Sequence, residues 1–296
     1  IAALAASLLL GLALAACGPQ LGDLERGEDG RVAAAFNGDG LELEGGLRVF
    51  LAEVDAPRGE APYARQAQAE LESLALHRDV RLAYGGAKRW APTRSSDDQP
   101  APETAIAHAF VQSEGGRWFW LQHELVSRGE AFVRPGADNH ARLEDLLRLE
   151  AQARADKRGL WGERAYEILS PREAAEEALA SDARCQSADA PYRFVEGVIA
   201  EADQQQRRAV LRFSGGNAES PALAVVVFGR NFEAWRGPAF QDYVGKRVRV
   251  RGDEREASRY RISGPNLQID VWYADGDWVG LEALTDGGRR LRYELR

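Results

Sequence analysis

Three arginines that alternate along one strand, two aspartates in turns and four scattered histidines are the residues of this chain whose types and spacing bear on chemistry. In Val244-Gly245-Lys246-Arg247-Val248-Arg249-Val250-Arg251-Gly252, basic and apolar side chains alternate, which places Arg247, Arg249 and Arg251 on one face of a strand. Such a face can line the groove of a barrel that binds single-stranded nucleic acid, with Phe228, Trp235, Tyr243, Tyr260, Trp272 and Tyr273 nearby in sequence as stacking groups. Asp253, Glu254 and Glu256 follow at once, so a solvated strand face with ordinary ion pairs is the other reading. Asp39 follows Asn37-Gly38, and Asp55 precedes Ala56-Pro57; aspartates in such turns cap backbone amides. His77, His108, His123 and His140 share no ligand spacing and read as solvated or locally bonded imidazoles, with His108 placed on a strand where burial is expected.

The composition sets limits on these readings. At 296 residues the chain suits two domains and a leader, and its 45% apolar and 28% charged residues are those of a globular protein. A formal charge of −8 argues against a generally basic nucleic-acid binder, so any such contact has to come from a local patch. Ile1 to Ala16 is an apolar run of signal-peptide length that ends in Leu14-Ala15-Ala16-Cys17, which resembles the lipobox of bacterial lipoproteins. That pattern implies acylation of Cys17 and loss of everything before it. Gly18, in place of aspartate, implies the outer membrane, facing the periplasm. A plain secretory peptide or a short anchor helix is the alternative. With Cys17 lipidated, Cys185 has no partner in the chain, and no disulfide or cysteine-based zinc site is expected.

The elements expected to position these residues run as follows. Residues 18–30 are polar and glycine-containing, as in a tether. Leu41 to Val54 reads as a hairpin around Gly45-Gly46, Tyr63 to His77 as an amphipathic helix, and Val80 to Tyr84 and Thr104 to Val111 as strands. Gly85 to Pro102 has no periodicity and reads as a mobile loop. Leu121 to Arg128 forms a short helix closed by Gly129, and Arg142 to Lys157 a helix with Leu143, Leu146, Leu147 and Ala151 in one stripe. Ser170-Pro171 opens a helix within a linker over 164–191. From 192 to 285, five short strands (194–200, 209–213, 222–228, 248–252 and 267–271) favour a small barrel with Val198, Val226, Val248, Val250 and Ile269 in its core. A basic, frayed tail over 286–296 closes the chain.

The order of these segments resembles the thermonuclease family. Asn37-Gly38-Asp39, then Val54-Asp55-Ala56-Pro57 after a hairpin, then Leu121 to Gly129 with Glu130-Ala131-Phe132-Val133, and Leu146 to Ala155 with Gly159-Leu160-Trp161, follow that family's motifs in order and spacing. The resemblance covers residues 31–163. It implies a mainly β, α+β fold: an OB-type five-stranded barrel packed by helices, here followed by a second small OB-like barrel. It also implies DNA or RNA cleavage with one calcium ion, bound by Asp39 and Asp55.

The family's remaining catalytic positions are not kept. Phe50 stands where an arginine five residues before Asp55 holds the scissile phosphate, Arg58 where a glutamate activates water, and Thr104 where a second arginine is due. Arg48 shares the side of the strand with Phe50 but is displaced by about 6 to 7 Å, and Glu60 lies close behind Arg58; these two are the nearest substitutes, with Arg89 and Arg94 in the loop. The sequence therefore reads as an envelope lipoprotein, held to a membrane through Cys17, that binds single-stranded nucleic acid or an envelope protein with nuclease chemistry reduced or absent. The alternative is a calcium-dependent nuclease working through Arg48, Glu60 or a loop arginine.

Overall fold

The computed structural model describes residues 22–86, 104–134, 139–180, 192–206, 208–215, 223–228, 239–253, 268–270, 280–284 and 290–294. Cys17, Cys185, Arg89, Arg94, Trp235, Tyr260, Trp272, Tyr273 and residues 87–102 of the expected loop lie outside them. Among the described residues no helix is long and apolar enough to cross a membrane.

The first half of the chain folds as β1 (Glu25–Asn37), β2 (Gly40–Leu43), β3 (Arg48–Leu51), β4 (Val54–Asp55), α1 (Ala64–Ala75), β5 (Asp79–Tyr84), β6 (Thr104–Gln112), β7 (Trp118–Trp120), α2 (Leu121–Arg128), β8 (Phe132–Val133) and α3 (Leu143–Ala155). Strands pair in the order β3-β2-β1-β5-β6-β7, and a parallel pairing of β3 with β6 closes the first five into a ring. β1 serves both sides of the ring: Glu25 to Arg31 pair with β5, while Val32 to Asn37 pair with β2. The result is the α+β, closed-barrel architecture expected of the sequence.

Alternation fills the barrel. On β3, Val49 and Leu51 point inward and are buried, while Arg48 and Phe50 are only half-buried on the other face. Leu71 of α1, Leu121 and Leu125 of α2 and Leu146 of α3 cover the core. On β6 both faces are buried, because α2 packs outside it and the Gln122 side chain donates to Ala107 O and accepts from Ala109 N. Gly129 closes α2 with φ 78°, and a Cβ there would meet Arg158 O at 2.2 Å. The backbones of Gly129 and Gly159 cross at this point, so both must lack side chains.

The second half consists of β9 (Ile168–Leu169), α4 (Pro171–Ala180), β10 (Tyr192–Gln205), β11 (Arg208–Phe213), β12 (Ala224–Phe228), β13 (Arg247–Asp253), β14 (Gln268–Asp270), β15 (Gly280–Leu284) and β16 (Arg290–Glu294). The order β14-β12-β11-β10-β13 repeats that of β6-β3-β2-β1-β5, including a long first strand shared by two neighbours and a parallel pair, β12 with β14. The expected closed second barrel is instead, among the described residues, an open sheet: β13 pairs with β15 rather than with β14. Val248 and Val250 are buried as expected, but Val198 is exposed.

Three boundaries differ from the sequence reading. The tether over 18–30 is cut short by β1, whose residues 25–31 pair with β5 through backbone groups that are indifferent to exposed, polar side chains. The linker over 164–191 is partly built into the second sheet: β9 pairs with β10, and Ala174 and Ala175 of α4 are buried in its core. The tail over 286–296 contains β16, an edge strand on β15. α4 itself opens as the sequence indicates, with Glu173 N donating to Ser170 Oγ and Ser170 N donating to Glu173 Oε2.

Candidate functional site: a buried carboxylate pair closed by arginine

Two turns meet at one end of the first barrel. Asp39 N donates to Asn37 Oδ1 in the turn between β1 and β2, and Ala56 N donates to Asp55 Oδ1 in the turn after β4. The turns touch at Gly38, where a Cβ would come within 2.7 Å of Ala56 Cβ and 2.8 Å of Ala67 Cβ. Asp39 and Asp55 are thereby buried close together, and turn capping accounts for only part of their hydrogen bonding.

The rest is taken by guanidinium groups. Arg58 Nη2 lies 2.5 Å from Asp39 Oδ2 and 2.9 Å from Asp55 Oδ1, bridging the two carboxylates from a side chain that is 47% exposed. Arg134, next to the β4–β8 pairing, places Nη1 2.5 Å from Asp55 Oδ2. Asp39 Oδ1 is buried without a hydrogen-bond partner. Burial and then the neighbouring Asp55 charge push the Asp39 carboxyl up, to about 8, against the opposing pull of Arg58.

The other expected site residues are not gathered here. Arg48 stacks on the Phe36 ring, with Cζ 3.9 Å from its centre, and forms no bond to either aspartate. Glu60 is exposed in the turn before α1 and makes no hydrogen bond or ion pair among the described residues. Thr104 is buried at the start of β6, in register with Arg48. His108 is buried with Nε2 3.3 Å from Glu53 Oε1, whereas His77, His123 and His140 are exposed.

Arg247, Arg249 and Arg251 do share a strand face, but carboxylates of this chain meet each one. Arg247 and Arg249 both pair with Glu196 across β10 and β13, at 2.6 and 2.8 Å. Arg251 is 1% exposed and donates to Glu150 of α3 and to Val133 O, joining the two halves of the chain. Tyr243, one of the stacking candidates, is buried. The ion-pair reading of this strand is the one the geometry supports.

Three residues central to these arrangements were not anticipated. Arg134 is 79 positions from Asp55, and no local pattern points to their contact. Glu53 adopts φ 64° and its carboxylate accepts from Arg142 N at the start of α3, tying the Asp55 turn to that helix. Glu150 did leave a signal: the buried stripe of α3 runs Leu143, Leu146, Leu147, Glu150 and Ala153, so an acid occupies an apolar position, and Ala151 is exposed rather than part of the stripe.

Calcium takes six to eight oxygen ligands. Here two carboxylates carry guanidinium nitrogens on three of their four oxygens, and no group of three or more metal-ligating side chains exists among the described residues. The expected calcium site at Asp39 and Asp55 does not fit the residues present, because a monovalent cation belonging to the chain already bridges them.

No curated protein matches the chain. The family model described as staphylococcal nuclease homologue matches residues 48–163, less than half of the chain. The match starts at β3, so β1 and β2, which complete the ring and supply Asp39, precede it. Members of this family are generally calcium-dependent, and the domain suggests a nuclease-type or nucleic-acid-binding module. Residues 48–163 are thus similar to a staphylococcal-nuclease-like domain, and the closed barrel is consistent with that likeness.

Proposed function

We propose that this protein binds nucleic acid through its nuclease-like domain without hydrolysing it, as a lipid-anchored component of the cell envelope. The observation that carries the loss of hydrolysis is Arg58 seated between Asp39 and Asp55. Phosphodiester hydrolysis needs positive charge free to meet the phosphate as negative charge develops, and a carboxylate placed to take a proton from water. Arg58 and Arg134 direct their charge at the aspartates, Phe50 stands in the position of a phosphate-holding arginine, and Glu60 is exposed and forms no bond to the pair. What is left is an acid pair closed by arginine in a barrel suited to holding a strand.

Purified full-length chain incubated with single- or double-stranded DNA and calcium is expected to leave the substrate intact. Cleavage that EDTA stops and Asp39→Ala abolishes overturns this reading.

The envelope assignment is supported by Leu14-Ala15-Ala16-Cys17. In a bacterial host fed labelled palmitate, the chain is expected to take up label and sediment with outer membranes, and Cys17→Ser to do neither. An unlabelled wild-type chain sinks the anchor.

A further inference from the structure

Beside the aspartate pair runs a row of two rings flanked by two cations, which shares only Arg58 with the ion pairs. Arg48 Cζ lies 3.9 Å from the centre of Phe36, Phe36 meets Phe50 edge-on with centroids 5.3 Å apart, and Arg58 Cζ lies 5.5 Å from the centre of Phe50. The strand register builds this ladder. Gly40 pairs with both Asn37 and Phe50, and a Cβ on it would meet Phe36 Cε2 at 2.2 Å, so the glycine makes room for the ring. Arg48, Phe36 and Phe50 are half-buried and Arg58 is half-exposed, so the row is in part accessible to solvent. Arg48 has no ion pair among the described residues, and Glu42, opposite it in the β2–β3 register, forms none with it.

The geometry points to this ladder, Arg48-Phe36-Phe50-Arg58, as a binding surface for single-stranded nucleic acid, with bases stacking on the two phenylalanines and Arg48 meeting a backbone phosphate. This rests on the binding reading above and gives it a place and a substrate class. Phenylalanine offers a π-face and no hydrogen bond, so recognition of this kind tolerates any base but requires bases free of a duplex. Arg48, which has no ion pair among the described residues, supplies charge complementarity that the acid-paired Arg247, Arg249 and Arg251 do not. Phe50 is the departure from the nuclease pattern at the phosphate-holding position, and the same substitution provides a stacking ring.

Fluorescence anisotropy of the full chain with labelled oligothymidylate, alone and in duplex, tests this. The single strand is expected to bind more tightly than the duplex. Phe36→Leu and Phe50→Leu, which keep an apolar side chain, are each expected to weaken binding about 5- to 150-fold, while the tyrosine replacements retain it. Arg48→Gln is expected to lower the slope of log affinity on log salt by about 0.7, and Arg247→Gln to leave it unchanged. Circular dichroism of each variant reports whether it is folded. Wild-type binding that folded ladder variants leave untouched overturns the ladder but not the binding reading. A preference for duplex overturns the single-strand assignment. No binding by the wild type at low salt overturns both and leaves a protein partner.

Discussion

Two buried clusters of carboxylates and guanidiniums among the described residues are built to opposite effect. At Glu150 a single carboxylate accepts from Val133 N, from Arg154 one turn away and from both terminal nitrogens of Arg251, which reaches in from the second sheet. Burial alone would push the Glu150 carboxyl up, but Arg251 and Arg154 more than offset it and hold it below its ordinary range. The guanidiniums in turn lie against Phe194 and Trp161, in a shared aromatic cluster of Phe132, Trp161, Tyr166 and Phe194. At Asp39 and Asp55 two carboxylates crowd one another, Arg58 bridges them from a half-exposed position, and Asp39 Oδ1 is left without a partner. One acid among excess donors makes a joint between two halves of a chain. Two acids crowded beside two guanidiniums make a site in which Asp39 is under electrostatic load.

The largest expected effect falls on the joint. Glu150→Ala removes the buried carboxylate that Arg154 and Arg251 share and is expected to cost about 3 to 5 kcal/mol, read by urea denaturation. It is also expected to split a single unfolding transition into two as the sheets uncouple, and an unchanged, single transition breaks the comparison at its stronger end.

A smaller effect is expected at the aspartate pair. Arg58→Ala removes a cation that is half-exposed, so about 1 to 3 kcal/mol is expected rather than the full buried-pair cost. Arg58→Glu adds a third carboxylate; millimolar calcium is expected to raise the melting temperature of that variant and not of the wild type. A calcium-dependent rise in the wild type removes the claim that arginine has replaced the metal.

The finest test is the sign of the pH dependence. Asp39 has its folded value raised, so between 3.8 and about 8 the folded chain holds a proton that the unfolded chain has released, and stability is expected to fall as pH rises through that window. Glu150 has its folded value lowered, so its contribution is present above the ordinary glutamate value of 4.5 and is lost as pH falls below it. Asp39→Asn is expected to flatten the first slope alone in denaturation measured from pH 4 to 8, and a slope that survives it assigns the effect elsewhere.

Much of the first domain was legible because its signals are local. Leu71 and Leu74 at helical spacing mark α1, Gly129 marks the end of α2, and the Asp39 and Asp55 turns carry their own chemistry in three or four residues. The strand Glu25–Arg31 was hidden because its side chains are exposed and polar and only its backbone pairing reveals it. The alternation of Arg247, Arg249 and Arg251 was read correctly as one face, but alternation says nothing about what packs against that face.

The sequence by itself determined that Phe50, Arg58 and Thr104 stand where the thermonuclease resemblance would put an arginine, a glutamate and a second arginine. It also determined that a barrel and covering helices would form, because periodicity of 2 and 3.6 residues is a property of the local chain. Only the tertiary structure decided what those substitutions do. That Arg58 bridges the aspartates, that Arg134 joins them from 79 residues away and that Arg251 is buried on Glu150 depend on contacts between distant segments. The strength of a charge pair is set by burial and by its neighbours, neither of which the linear order of residues records.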